Sequence, residues 1–202
     1  VPMYVADDAL IRAIVGFDFH RGVLACGRRP ATPTLDSLLE RATSDPSRPL
    51  TLVICPETNE TENLGAIMRI GAGFGVDALL LGERCCDPFS RRAVRVSMGA
   101  AFTLPIRRSD DLAGDIARLR DAWRVETIAA VCAPDATPLR DAQRPRRFAL
   151  MLGSEAHGLP GNWIDRADHR VTMPMHLGAD SLNVAVAAAV CLFHFGGKSP
   201  CD

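Results

Sequence analysis

A chain of 202 residues, 48% hydrophobic and 23% charged, can bury a sizeable core without staples, which excludes disorder, a collagen-like repeat and a disulfide scaffold as global descriptions. With 23 basic and 24 acidic residues the formal net charge is −1, so the chain is no histone-like polycation, although a local basic patch is enough for nucleic acid. Lys198 is the only lysine, and the basic set is otherwise arginine, the better residue for gripping phosphate in two places at once.

Residues 1–48 differ in character from the rest. FDFHRGVLAC (17–26) reads as one strand of a domain that is mostly absent, Gly27–Thr34 as a loop, Leu35–Ala42 as a short helix and Ser44–Pro49 as a linker. Val1 is not an initiator methionine, so the chain reads as part of something longer. From Leu50 onward, short apolar runs alternate with amphipathic stretches. Strands are predicted at LTLVIC (50–55), DALLLG (77–82), FTLPI (102–106), VETIAAVC (125–132), RFALMLG (147–153) and HRVTMPM (169–175). Helices are predicted from Asn63 to about Phe74, over Pro88–Met98, Asp110–Trp123 and Pro160–Asp165, and from Ser181 to Phe195, with Asp180 or Ser181 as the last helix's cap. This order implies an α/β fold, a mainly parallel sheet with helices on both faces.

The seven cysteines are odd in number and contain no C-x-x-C pair; several sit in apolar runs, where a thiol acts as a small hydrophobe. Neither a disulfide framework nor a metal site is expected, and a reducing cytoplasm suits them. No apolar run reaches the length of a membrane span, and VPMYVADDAL lacks the pattern of a signal peptide. The glycines of GAGFG (71–75) fall at the end of a helix, so they read as its termination and not as a dinucleotide loop. The cluster Arg140, Arg144, Arg146 and Arg147 reads as a solvated loop, and His157 as an exposed loop histidine beside a site worth watching.

Three segments ask for chemistry. In N-x-G-x-x-x-R, Gly65 and Arg69 share a helix face; Gly65 admits a close neighbour, and Arg69 suits a phosphate or carboxylate. Asn63 opens that helix. In G-x-E-x-x-G-L, Gly153, Glu155 and Gly158 follow an apolar strand, at the carboxyl end where open α/β sheets bind ligands. In MPMHLGADSLNVAVAAAV (173–190), Ser181 and Asn183 sit where a helix start leaves unpaired N–H groups. The last helix is apolar nearly all round: Leu182, Val186, Ala189, Val190 and Phe193 make one stripe, and Val184, Ala188, Cys191 and Phe195 another. A helix apolar on two sides needs two partners, its own sheet and a second surface such as another copy of the chain.

In this order and spacing, NLGAIMRIGAGFGV, LGSEAHGL and MPMHLGADSLNVAVAAA resemble the three motifs of the SpoU family of RNA ribose 2′-O-methyltransferases, within the SPOUT superfamily, over about residues 50–195. FHRGVLA also resembles the tail of the small RNA-binding domain that often precedes the catalytic one. The resemblance implies a SPOUT-like C-terminal trefoil knot forming a pocket for S-adenosylmethionine, with Gly153, Met173 and Leu182 on the cofactor and Gly158 shaping the loop. It implies residues 1–48 as an RNA-binding remnant plus linker, residues 49–202 as the methyltransferase domain, and a cytoplasmic homodimer packed through the knot region and last helix. The chain departs from the family pattern at Glu60-Thr61, where Asp-Pro is frequent, and at Ala185, where a small hydroxyl residue is common.

The implied reaction moves a methyl group onto a ribose 2′-hydroxyl of tRNA or rRNA. The protein then mainly aligns atoms and excludes water. The family's motif-one arginine, here Arg69, is expected to grip the neighbouring phosphate and polarise the hydroxyl, because a guanidinium does not readily act as a base. Asn63, Glu155, Ser181 and Asn183 are expected to orient Arg69 and the ribose. The alternatives are a SPOUT-like base methyltransferase and a non-catalytic RNA-binding relative.

Overall fold

The computed structural model describes residues 1–16, 18–19, 22–42, 45, 48–154, 156–175 and 181–196. The chain divides into two compact units, Val1–Pro30 and Ala31–Asp202. In the first, helix α1 (Asp8–Val15) starts at Asp7, whose carboxylate accepts the Leu10 amide at 2.8 Å, and stops at Gly16 with φ of 76°. The sequence reading offered no helix here, and the described residues of FDFHRGVLAC form no strand.

The second unit contains α2 (Leu35–Ala42), β1 (Leu50–Cys55), α3 (Thr61–Gly73), β2 (Ala78–Leu81), α4 (Arg91–Val96), β3 (Ile106–Arg108), α5 (Leu112–Trp123), β4 (Glu126–Ala130), β5 (Thr137–Pro138), β6 (Arg147–Met151), α6 (Gly161–Ile164), β7 (His169–Thr172) and α7 (Val184–Phe195). The seven strands form one sheet in the order β3-β2-β1-β6-β4-β7-β5, and every pairing is parallel. Residues of successive parity separate onto its two faces. Val53, Leu79, Ile128, Leu150 and Val171 meet α3, α4 and α7, whereas Leu52, Ile54, Leu80, Ala129 and Met151 meet α2 and α5. Both faces of the sheet are therefore covered, as a parallel sheet requires.

Leu35, Leu38 and Leu39 of α2 are buried in the second unit's core, so this unit starts at Ala31 and takes in a helix that the sequence reading placed ahead of residue 49. Apolar burial on this scale contributes about 1.5–3 kcal/mol per large aliphatic side chain. The third strand is also displaced. Residues 100–102 form a 3₁₀ turn after Gly99, at φ 91°, and the strand begins at Ile106. At this sheet edge polar side chains are tolerated: Arg107 pairs with Asp115 at 2.8 Å, and Arg108 donates to the carbonyls of Glu83 and Cys85 at 2.7 and 2.9 Å.

The arginine cluster before β6 is not a uniformly solvated loop. Arg147 is buried and donates to the carbonyls of Arg48, Trp123 and Asp45 at 3.0, 2.9 and 3.2 Å. Arg144 lies over the Phe148 ring, 5.4 Å from its centre, and burial pulls its pKa below the ordinary value. At the other end of the core, Asp168 fixes β7 beside β4. Burial pushes its carboxyl up, but hydrogen bonds from the Thr127 amide and hydroxyl, together with Arg120, leave its pKa below the ordinary value.

Candidate functional site

The carboxyl ends of β6, β4 and β7 open into a cavity of about 650 Å³. Three separated segments and the loop after β4 wall it. The first is the start of α3, which brings Glu60 and Asn63. This stretch is held by the loop after β2: the Cys85 thiol donates to the Cys55 carbonyl at 2.9 Å and accepts from the Thr58 amide at 3.3 Å, while the Cys86 amide donates to the Thr58 carbonyl at 2.8 Å.

The second segment is the loop after β6. The Ser154 and Gly158 backbones exchange hydrogen bonds of 2.9 and 3.0 Å, and Gly158 adopts φ of 65°. That fold brings the loop back over Gly153, where a Cβ would fall on the backbone of Gly158 and Leu159. Glycine is therefore needed at 153 by the loop's own backbone, and Gly153, Ser154, His157 and Gly158 all line the cavity. His157 is exposed there, and its amide donates to the Ser154 hydroxyl at 3.3 Å.

The third segment runs from β7 into α7 and supplies Met173, Met175, Ser181, Leu182 and Asn183. Asn183, rather than Asp180 or Ser181, is the cap of α7: its Oδ1 accepts the amides of Ala185 and Val186 at 2.9 and 3.3 Å. Ser181 and Leu182 thus precede the helix. With Oδ1 committed to the helix end, the amide nitrogen of Asn183 donates to Asn63 Oδ1 at 2.9 Å. This bond joins the first and third segments across the cavity wall.

Seven of the nine residues expected to act in catalysis or cofactor binding therefore meet at one cavity: Asn63, Gly153, Gly158, Met173, Ser181, Leu182 and Asn183. Glu155 lies outside the described residues, as do residues 176–180 of the third motif. Arg69 is exposed and does not line the cavity. Gly65 packs against α4 instead of a ligand: a Cβ on it would lie 2.8 Å from the Ala93 carbonyl oxygen and from Val96 Cβ. The sequence reading did not single out Glu60 or Cys132 as site residues. The position of Cys132 was legible in one respect, since it follows β4, a strand neighbouring β6, at the same carboxyl edge.

Two thiols reach the cavity wall. Cys191, on α7, is buried, and that burial pushes its thiol pKa up to about 12; Cys132 is exposed. In the native protein at pH 8, iodoacetamide is expected to label Cys132 and leave Cys191 unmodified until denaturant is added, as peptide mass spectrometry would register.

The arrangement is a concave, partly apolar pocket at the carboxyl edge of a parallel sheet, with glycine loops and convergent amides and a hydroxyl, which is the form of a small-molecule site. The sequence profile described as the SpoU rRNA Methylase family matches residues 50–193. An uncharacterised tRNA/rRNA methyltransferase of Mycobacterium tuberculosis is 36% identical over 195 residues, covering 95% of this chain and 65% of that protein. The 23S rRNA (guanosine-2′-O-)-methyltransferase RlmB of Ralstonia nicotianae is 31% identical over 196 residues, covering 96% of this chain and 76% of that one. The crystal structure of an AdoMet-bound rRNA methyltransferase from Sinorhizobium meliloti superposes with a TM-score of 0.69 at 26% identity, over 82% of this chain and 60% of that one. The chain thus spans about two-thirds of the length of its mycobacterial relative. The family profile covers all three cavity segments and most of the sheet that presents them: the chain belongs to the SpoU rRNA methylase family.

Proposed function

We propose that the chain is the catalytic part of an S-adenosylmethionine-dependent methyltransferase acting on the ribose 2′-hydroxyl of tRNA or rRNA. The observation that carries this reading is the cavity itself, in which the residues of all three SpoU-like segments converge. Its volume lies within the roughly 300–1,000 Å³ of small-molecule sites. Its lining also suits the cofactor: Leu159, Val171, Met173 and Leu182 offer apolar surface for a flat base, and the 153–158 loop offers backbone polar groups. Gly153, Gly158, Met173 and Leu182 would hold the cofactor, which when bound supplies an electrophilic methyl group on a sulfonium.

Asn183 donates to Asn63 and so fixes its side chain, and together with Ser181 and Glu155 the pair would orient the ribose hydroxyl. Arg69 would grip the adjoining RNA phosphate from outside the cavity wall, a place better suited to a phosphate than to the hydroxyl. We further infer that the segment between β7 and α7 threads the trefoil knot of the SPOUT fold. Support comes from β7 pairing beyond β4 while α7 packs against α3, which follows β1, so that the two ends of this segment lie on opposite sides of β6 and β4. The residues ahead of Ala31 belong, in this reading, to the end of an RNA-binding domain.

The protein is proposed to work as a cytoplasmic homodimer. Val186, Val190 and Phe193 point outward from α7, Phe193 at 76% exposure, and Phe193 meets Phe74 edge-on at 6.4 Å between ring centres. A second copy would cover this apolar ridge. None of the helices among the described residues is long and apolar enough to cross a membrane.

Incubation with S-adenosylmethionine carrying a labelled methyl group and with unmodified bulk tRNA and rRNA tests the activity. The expected product is a labelled dinucleotide that survives alkali, because a methylated 2′-oxygen cannot attack the neighbouring phosphate. Label released in alkali-labile mononucleotides would instead establish base methylation. Cofactor binding without transfer to any RNA would favour a non-catalytic relative.

A further inference from the structure

Glu60 occupies the N-cap of α3, yet its side chain makes no cap hydrogen bond. Shorter side chains fold back onto the first amides of a helix, and glutamate is not among the preferred caps. Its backbone carbonyl still accepts the Leu64 amide at 3.0 Å, so the helix starts correctly without the carboxylate. The residue is exposed and lines the cavity together with Asn63. Among the described lining residues it is the only acid, and none is lysine or arginine. Among these described lining residues, this carboxylate contributes negative potential to the cavity.

Resting on the proposed function, we infer that Glu60 makes the cavity charge-selective, favouring S-adenosylmethionine over S-adenosylhomocysteine. The two ligands share every group except the methyl and the positive charge on sulfur. A carboxylate at the wall therefore attracts the donor more than the thioether left after transfer, and the spent cofactor is released in preference to fresh donor. The carboxylate is open to solvent, so the preference is modest, on the order of five-fold.

Calorimetric titration of both ligands into the wild-type chain and Glu60→Gln tests this. The substitution keeps the shape and removes only the charge, and with no cap bond to lose it is expected to leave the melting temperature unchanged. Glu60→Gln is expected to weaken S-adenosylmethionine roughly five-fold and leave S-adenosylhomocysteine unchanged, and the wild-type preference is expected to shrink as salt is raised. Equal weakening of both ligands, or no change in either, overturns the inference while leaving the cofactor site intact. Failure of the wild-type chain to bind either ligand overturns the cofactor reading, and charge selectivity with it.

Discussion

Gly153→Ala is expected to abolish binding of S-adenosylmethionine in a calorimetric titration while the protein remains folded by circular dichroism. A single methyl is enough because of where it would fall. The Gly153 Cβ would land on the peptide joining Gly158 to Leu159, and this neighbour is backbone, which cannot rotate away as a side chain would. The Ser154–Gly158 bridge must open to make room, and with it goes the loop that lines one side of the cavity. The strand behind it is protected: Phe148, Ala149, Leu150 and Met151 are fully buried and paired on both sides, with β1 and β4. The expected loss is at least a hundred-fold in affinity, with a stability change of about 1–3 kcal/mol, typical of forced overpacking. Normal affinity in Gly153→Ala would mean that the loop is not part of the binding site.

The second large effect is on stability. Arg147→Met is expected to destabilise the second unit by about 3–4 kcal/mol in urea unfolding. The substitution keeps most of the aliphatic stem and removes the guanidinium, leaving the carbonyls of Arg48, Trp123 and Asp45 without their donors. Hydrogen bonds to a charged group contribute about 1.5–3 kcal/mol each, discounted here because water can reach part of the site. Two of these carbonyls, Asp45 and Arg48, belong to the connection between α2 and β1 and the third to the C-terminal end of α5, so one side chain ties two separate segments to the first residue of a central strand. Arg146→Met, one residue earlier and exposed, is the control and is expected to change stability by less than 0.5 kcal/mol. Equal effects at the two positions would show that the carbonyl cluster does not matter.

The elements that sequence reading located best are those set by local pattern. LTLVIC and RFALM are unbroken apolar runs and become the two neighbouring central strands, buried on both faces. Leu35–Ala42 was legible as a helix, but not its membership of the core, because its partners on β1, β2 and α5 are distant in sequence. FTLPI has the composition of a strand. Its first residue nevertheless ends a 3₁₀ turn, and the strand runs into two arginines whose partners, Asp115 and the carbonyls of Pro33, Glu83 and Cys85, belong to other elements. Arg147 reads as solvated for the same reason: a count of charges does not reveal carbonyls arriving from two other segments. Helix α1 carried legible signals, a capping Asp7 and a terminating Gly16, outweighed by the expectation of a strand just beyond.

At the site, motif spacing found most of the cavity wall but not its internal wiring. Ser181 and Asn183 were both placed at a helix start. The expected cap is Asp180 or Ser181; the helix begins after Asn183, whose side chain takes the first free amides, while Ser181 and Leu182 line the cavity. Glu60 was visible only as a departure from the family pattern. Its place on the wall depends on the β6 and β7–α7 segments that complete the cavity, and that is tertiary information.

The strand order has a consequence for how the molecule comes into being on the ribosome. β1 lies between β2, which follows it closely, and β6, which is synthesised only after β3, α5 and β4. Until β6 emerges, β1 presents an apolar, unpaired edge to the cell, the kind of surface that nascent chains must shield from aggregation. β6 then closes the sheet from the middle, not from an end. The binding cavity comes later still, since two of its walls are read from the message after β6. A chain interrupted between Thr172 and Asn183 would hold all seven strands and an unfinished pocket, so ligand competence is acquired after the sheet is complete.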